Sequence, residues 1–76
     1  MSGGNNVVAP MPGRIISVNI SVGDRVKAGD PLVVMEAMKM ETTLEAPRDG
    51  VVKSVNTSVD ALVSGDAVLI ELEEED

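Results

Sequence analysis

Histidine, cysteine, phenylalanine, tyrosine and tryptophan are all missing from this chain of 76 residues. Without cysteine or histidine, neither disulfides nor the usual zinc ligands can staple the fold, and no metal site is expected. Without histidine, cysteine or tyrosine, the chain lacks the side chains most used as general bases and nucleophiles near neutral pH. A free-standing enzyme is therefore not expected, and no catalytic residue is assigned. Basic residues are scarce, six against thirteen acidic ones, for a formal charge of −7. Phosphate neutralisation needs a basic surface and base stacking needs aromatics, so nucleic acid is excluded as a partner. No apolar run approaches the roughly 20 residues that cross a bilayer. The first residues also lack the charged-then-apolar order of a signal peptide, which together predicts a cytoplasmic protein with no membrane insertion.

What remains is rich in valine, and its core must be built from Val, Ile, Leu, Ala and Met, a composition that favours strands. A single small domain is expected over residues 7–72. Residues 1–6, small and polar, are expected to be a disordered lead or the cut edge of a longer chain, and residues 73–76 an acidic, solvated tail.

An internal repeat organises the domain. Laid over residues 46–70, residues 9–34 bring Ala9-Pro10 onto Ala46-Pro47, Gly13 onto Gly50, Ser17-Val18-Asn19 onto Ser54-Val55-Asn56, Ser21-Val22 onto Ser58-Val59 and Val26 onto Val63. A one-residue gap at 27–29 then brings Gly29-Asp30 onto Gly65-Asp66. Two copies are too few for a solenoid and predict one domain with pseudo-twofold symmetry. Each copy reads as short strands between turns marked by Gly, Pro and Asp. About eight such strands fit a flattened barrel or sandwich, which hides most of its edges. Positions apolar in both copies are the expected core: Ile15 and Val52, Val18 and Val55, Val22 and Val59, Val26 and Val63, Leu32 and Val68, Val34 and Ile70. Ile15 and Val18 have opposite parity in a regular strand, so a bend or bulge is expected between them.

Val34-Met35-Glu36-Ala37-Met38-Lys39-Met40-Glu41 lies where the first copy hands over to the second. By propensity alone it would be a helix. Its apolar positions do not persist at helical spacing, however, since the next steps from Val34 and Met38 reach Glu41, Thr42 and Glu45, so an extended hairpin is predicted instead. With Met38 and Lys39 as its loop, Glu36 faces Glu41, a like-charge pair that weakens a ladder. Lysines at hairpin tips commonly do no more than solvate the loop. One lysine between two exposed methionines at a symmetry join is a less ordinary arrangement.

Glu36-Ala37-Met38-Lys39-Met40 is identical to the attachment motif of biotin carboxyl carrier (biotinyl) domains, and the frame around it is similar too. Ala9-Pro10-Met11-Pro12-Gly13, Val22-Gly23-Asp24, Gly29-Asp30 and Ala46-Pro47 with Gly50 match that family's other signatures, so the resemblance spans Val7 to Leu72. It implies an all-β, capped barrel of two four-stranded antiparallel sheets with the modified lysine on an exposed hairpin. It also implies that Lys39 carries covalent biotin, attached by a biotin protein ligase through biotinyl-adenylate. The biotin would then act as a swinging arm between a biotin carboxylase and a carboxyltransferase or decarboxylase subunit, as in acyl-CoA or pyruvate carboxylases. Glu36, Ala37, Met38, Met40 and Glu41 are expected to serve recognition by these partners, because acidic neighbours do not activate a lysine as a nucleophile.

Two departures are visible. Asp60 stands where the family usually has Gly, and the chain has no room for the protruding thumb of some bacterial carriers, so it resembles the thumbless type. The rival readings are a lipoyl carrier of a 2-oxo-acid dehydrogenase system, which usually shows Asp-Lys-Ala, and an unmodified interaction module.

Overall fold

Runs of two to seven residues rich in Val, Ile and Leu alternate with Gly-, Pro- and Asp-bearing turns, and each run becomes a strand. The computed structural model describes residues 5–74, and within them there are eight strands and no helix. These are β1 (Asn6–Val8), β2 (Gly13–Val18), β3 (Arg25–Val26), β4 (Pro31–Ala37), β5 (Met40–Glu45), β6 (Gly50–Val55), β7 (Leu62–Val63) and β8 (Val68–Leu72). They form two four-stranded sheets, ordered β1-β8-β6-β3 and β5-β4-β2-β7. Every pairing is antiparallel. Each half of the chain supplies the central pair of one sheet and both edges of the other.

The pseudo-twofold is stricter than the sequence repeat, because it runs at a constant spacing of 37 residues, that from Ala9 to Ala46. Asn19 N donates to Leu32 O at 2.8 Å, and Asn56 N donates to Leu69 O at 2.7 Å. Ala46 N donates to Asp30 O and Ala9 N to Ala67 O, both at 2.9 Å. Asp30 is thus equivalent to Ala67, and the gap expected at 27–29 does not exist. The error has a physical source. The left-handed position of that turn is Gly29 in the first half (φ 89°) and Asp66 in the second (φ 67°). Backbone conformation is repeated there, whereas the Gly-Asp dipeptide has slipped by one residue.

The corrected spacing sorts the core. Ile15 and Val52, Leu32 and Leu69, Val33 and Ile70, and Met35 and Leu72 are equivalent pairs, and all eight are buried. Of the twelve residues expected inside, Ile15, Val52, Val26, Leu32 and Ile70 are buried, while Val18, Val34, Val55, Val63 and Val68 are half-buried. Val22 and Val59 contradict the expectation, at 64% and 55% exposed. Both occupy the corner of a tight turn that reaches the sheet through backbone, with Gly23 N donating to Val52 O and Asp60 N to Ile15 O. Their side chains are left facing water. The expected bend is a register shift between Ile15 and Ser17, repeated between Val52 and Ser54. It lets residues of opposite parity face one core.

The domain also begins earlier than expected. Asn6 pairs with Glu71, and Asn5 O accepts from Leu72 N at 2.7 Å, so both belong to the fold and not to a lead. Glu73 N donates to Val51 O at 2.9 Å, which ties the first residue of the expected tail to the sheet. The rest of the expected lead and the last two residues of the expected tail lie outside the described residues.

Candidate functional site

β4 and β5 are consecutive strands joined by only two residues, Met38 and Lys39. Both have positive φ, 54° and 68°, which makes the connection a type I′ turn, the form whose twist matches the strands it joins. Such turns usually use Asn-Gly. Placing two long side chains in the left-handed region costs about 1–2 kcal/mol each. The ladder beneath offsets that cost: Ala37 pairs with Met40, Glu36 with Glu41, Met35 with Thr42 and Val34 with Thr43.

The side chains divide by face. Val33, Met35 and Ala37 point inward and are buried, while Met38 is 84% exposed and Met40 67% exposed. Lys39 and Glu41 are exposed, and Glu36 is half-buried. The expected facing pair of Glu36 and Glu41 is present. Its repulsion is offset by a residue the motif gives no hint of. Arg14 on β2 pairs with Glu36 on β4, and its Nη2 donates to Glu36 Oε1 at 3.1 Å while Nη1 donates to Asp60 Oδ1 at 2.9 Å. Asp60 itself holds a left-handed conformation at φ 73°, which aspartate tolerates better than most residues. The departure from Gly at this position therefore adds a carboxylate that steadies the base of the hairpin. All three groups are substantially exposed, so the two pairs contribute at most about 1 kcal/mol each.

Close packing fixes the hairpin's position. A Cβ placed on Gly13 would meet Glu36 O at 2.5 Å, Met35 Cε at 2.7 Å and Ala37 Cβ at 3.1 Å. β2 and β4 can approach this closely only because Gly13 and Ala37 are small. Ala37, expected among the recognition residues, is 7% exposed, so its side chain meets the neighbouring strand and not the surroundings. Beside Lys39 lies an open groove of about 530 Å³, lined by Pro12, Gly13, Arg14 and Glu36 with Leu62 on its far rim. Leu62 is 82% exposed and gives the groove an apolar rim. Gly13 and Asp60 stand out in the sequence but without a role at the hairpin, and Arg14 and Leu62 were missed because motifs flag recurring residues, whereas these two break the repeat: their equivalents are Val51 and Arg25. Among the described residues, no hydrogen bond or ion pair engages the Lys39 amine, and no acidic cluster could hold a metal. An exposed primary amine held at the apex of a rigid turn can be acylated by an enzyme that brings an activated acid to it.

Residues 5–72 match the family model Biotin_lipoyl, described as biotin-requiring enzyme. The chain is 54% identical over 69 residues to methylcrotonoyl-CoA carboxylase subunit alpha, mitochondrial, of Rattus norvegicus. That match covers 91% of this chain and 10% of the relative. It is 50% identical over 70 residues to pyruvate carboxylase of Staphylococcus aureus, again covering 91% of this chain but 6% of the relative. The chain thus spans a tenth or less of the length of these two relatives. Its fold superposes on the lipoyl domain of the 2-oxoglutarate dehydrogenase complex from Azotobacter vinelandii with a TM-score of 0.81, at 22% identity, covering 95% of this chain and 99% of that one. No helix among the described residues is long and apolar enough to cross a membrane.

Proposed function

This chain belongs to the Biotin_lipoyl family, and from that premise we propose that it is a biotin carboxyl carrier domain with Lys39 as its attachment point. Lys39 stands at the apex of a type I′ turn between two exposed methionines, and this placement is the observation that carries the proposal. In the attachment step, the Nζ lone pair attacks the acyl carbon of biotinyl-adenylate supplied by a biotin protein ligase. The acyl C–O bond to phosphate breaks, AMP leaves with that electron pair, and the amine loses a proton as the amide forms. Met38, Met40 and Glu41 flank the amine as the surface the ligase reads, and Glu36 holds the hairpin through Arg14. Ala37 serves the same recognition indirectly, by letting β4 sit against Gly13.

When attached, biotin supplies a ring nitrogen that takes up and gives back a carboxyl group. The chain contributes a stiff handle. Tethering replaces free cofactor by a high local concentration at each partner's site, here a biotin carboxylase and a carboxyltransferase or decarboxylase subunit. The domain itself is read as non-catalytic. Lipoylation has weaker support, because the relatives at 54% and 50% identity are carboxylases while the lipoyl-domain structure shares the fold at 22%. Coexpression with a biotin protein ligase and biotin is expected to add one biotinyl mass to the intact chain. Lys39→Arg should abolish the addition, with Lys27 and Lys53 left in place. An unmodified wild-type chain would instead favour an interaction module.

A further inference from the structure

The two halves provide a control for the groove beside Lys39, because the pseudo-twofold generates an equivalent position at the other end of the molecule. There, Arg48 fills the space. Its guanidinium donates to Asn5 Oδ1 at 2.7 Å, to Asp49 O at 2.7 Å and to Glu73 O, and its Nη1 lies 2.5 Å from where a Cβ on Gly50 would be. The residue equivalent to Arg48 is Met11, which packs against the core; Met35 and Ala37 close the Cβ side of Gly13, and the groove bounded by Pro12, Arg14 and Leu62 stays open next to it. At the rim the exchange runs the other way. The closed end has Arg25, a charged residue suited to water, where the open end exposes Leu62. One groove is thus plugged and polar, and the other is open with an apolar rim.

We propose that the open groove is a resting berth for the biotinyl group carried by Lys39, an inference that rests on the attachment proposed above. Lys39 itself lines the groove, so its acyl group begins at the entrance. The volume of about 530 Å³ falls within the roughly 300–1,000 Å³ of small-molecule sites. Biotin's head is a cyclic urea, with two N–H donors and one carbonyl acceptor, fused to an apolar sulfur ring. Arg14 has five N–H donors and its two ion pairs use two of them, while the carboxylates of Glu36 and Asp60 retain free lone pairs. The urea therefore meets donors and acceptors of both kinds, and Leu62 offers the apolar ring a cover. Because the site is wide open and shared with water, the berth is shallow, as a group that must leave for two enzymes requires.

The test uses isotope-labelled chain, biotinylated on Lys39, beside the unmodified chain. Intact mass first establishes the modification, and an unmodified product overturns both the attachment and the berth. On the modified chain, amide shifts are expected at Gly13, Arg14 and Val63 as well as at Met38 and Met40. Nuclear Overhauser contacts are expected between biotin ring protons and the Leu62 methyls. Leu62→Arg, which places the residue of the closed end at a largely exposed position, should lose the Gly13 and Val63 shifts while keeping those at the tip. Shifts confined to Met38, Lys39 and Met40, with no contact to Leu62, would overturn the berth and leave the attachment standing. Perturbation of Leu62 only on adding biotin carboxylase would assign the groove to that partner and likewise overturn it.

Discussion

The end of the molecule that carries Lys39 and the end where β1 and β8 meet are built from equivalent strands, paired in the same registers at a spacing of 37 residues. They differ in how tightly the backbone is packed and in what lies between the strands. At the lysine end, glycine, alanine and methionine bring β2 against β4 with backbone and short side chains in contact. At the other end the neighbour of the equivalent glycine is the tip of a flexible arginine. The fold thus supplies two similar places, and the sequence has made one rigid and open while closing the other with a side chain. Lys39 and the open groove lie at the end where the symmetry is broken.

Three pairs of substitutions would break or sharpen this comparison. Met35→Ala and Leu72→Ala remove equivalent buried side chains, and each should cost about 2–5 kcal/mol in denaturant unfolding. Only Met35→Ala, under the hairpin, should also slow ligase turnover under conditions where both variants remain folded. Gly13→Ala forces a methyl into backbone and should cost about 1–3 kcal/mol. Gly50→Ala displaces only the end of Arg48, a flexible side chain that can re-form its hydrogen bonds nearby, and should cost less, about 0.5–1 kcal/mol. Equal effects of the two alanines on melting temperature would contradict the difference in packing. The smallest effects belong to the turns. Asp24 Oδ2 accepts from Ser21 N at 2.8 Å and Asp30 Oδ2 from Lys27 N at 2.9 Å, whereas the equivalent positions are Ala61 and Ala67. Asp24→Ala or Asp30→Ala should cost about 1 kcal/mol or less, making the first half resemble the second.

Much of this was legible in the residues. Hydrophobic spacing, turn chemistry and the repeat gave the strands, the twofold and the two-residue loop at Met38-Lys39, because each depends on local rules. The gap at 27–29 was misread because glycine and aspartate both accept a left-handed backbone, so identity and conformation parted company at Gly29 and Asp66. Val22 and Val59 were misread because apolar character in both copies was equated with burial. Arg14 and Leu62 carried no motif at all. Their signal lay in differing from Val51 and Arg25, and it can be read only once the spacing is right.

The interleaving of the sheets has a last consequence. Each central strand pair needs edge strands drawn from the opposite half, so a peptide holding one repeat alone would leave two sheets unfinished. Two copies of such a peptide, docked about a true dyad, could complete each other. Severing the chain at the lysine hairpin would then yield fragments that fold only on meeting.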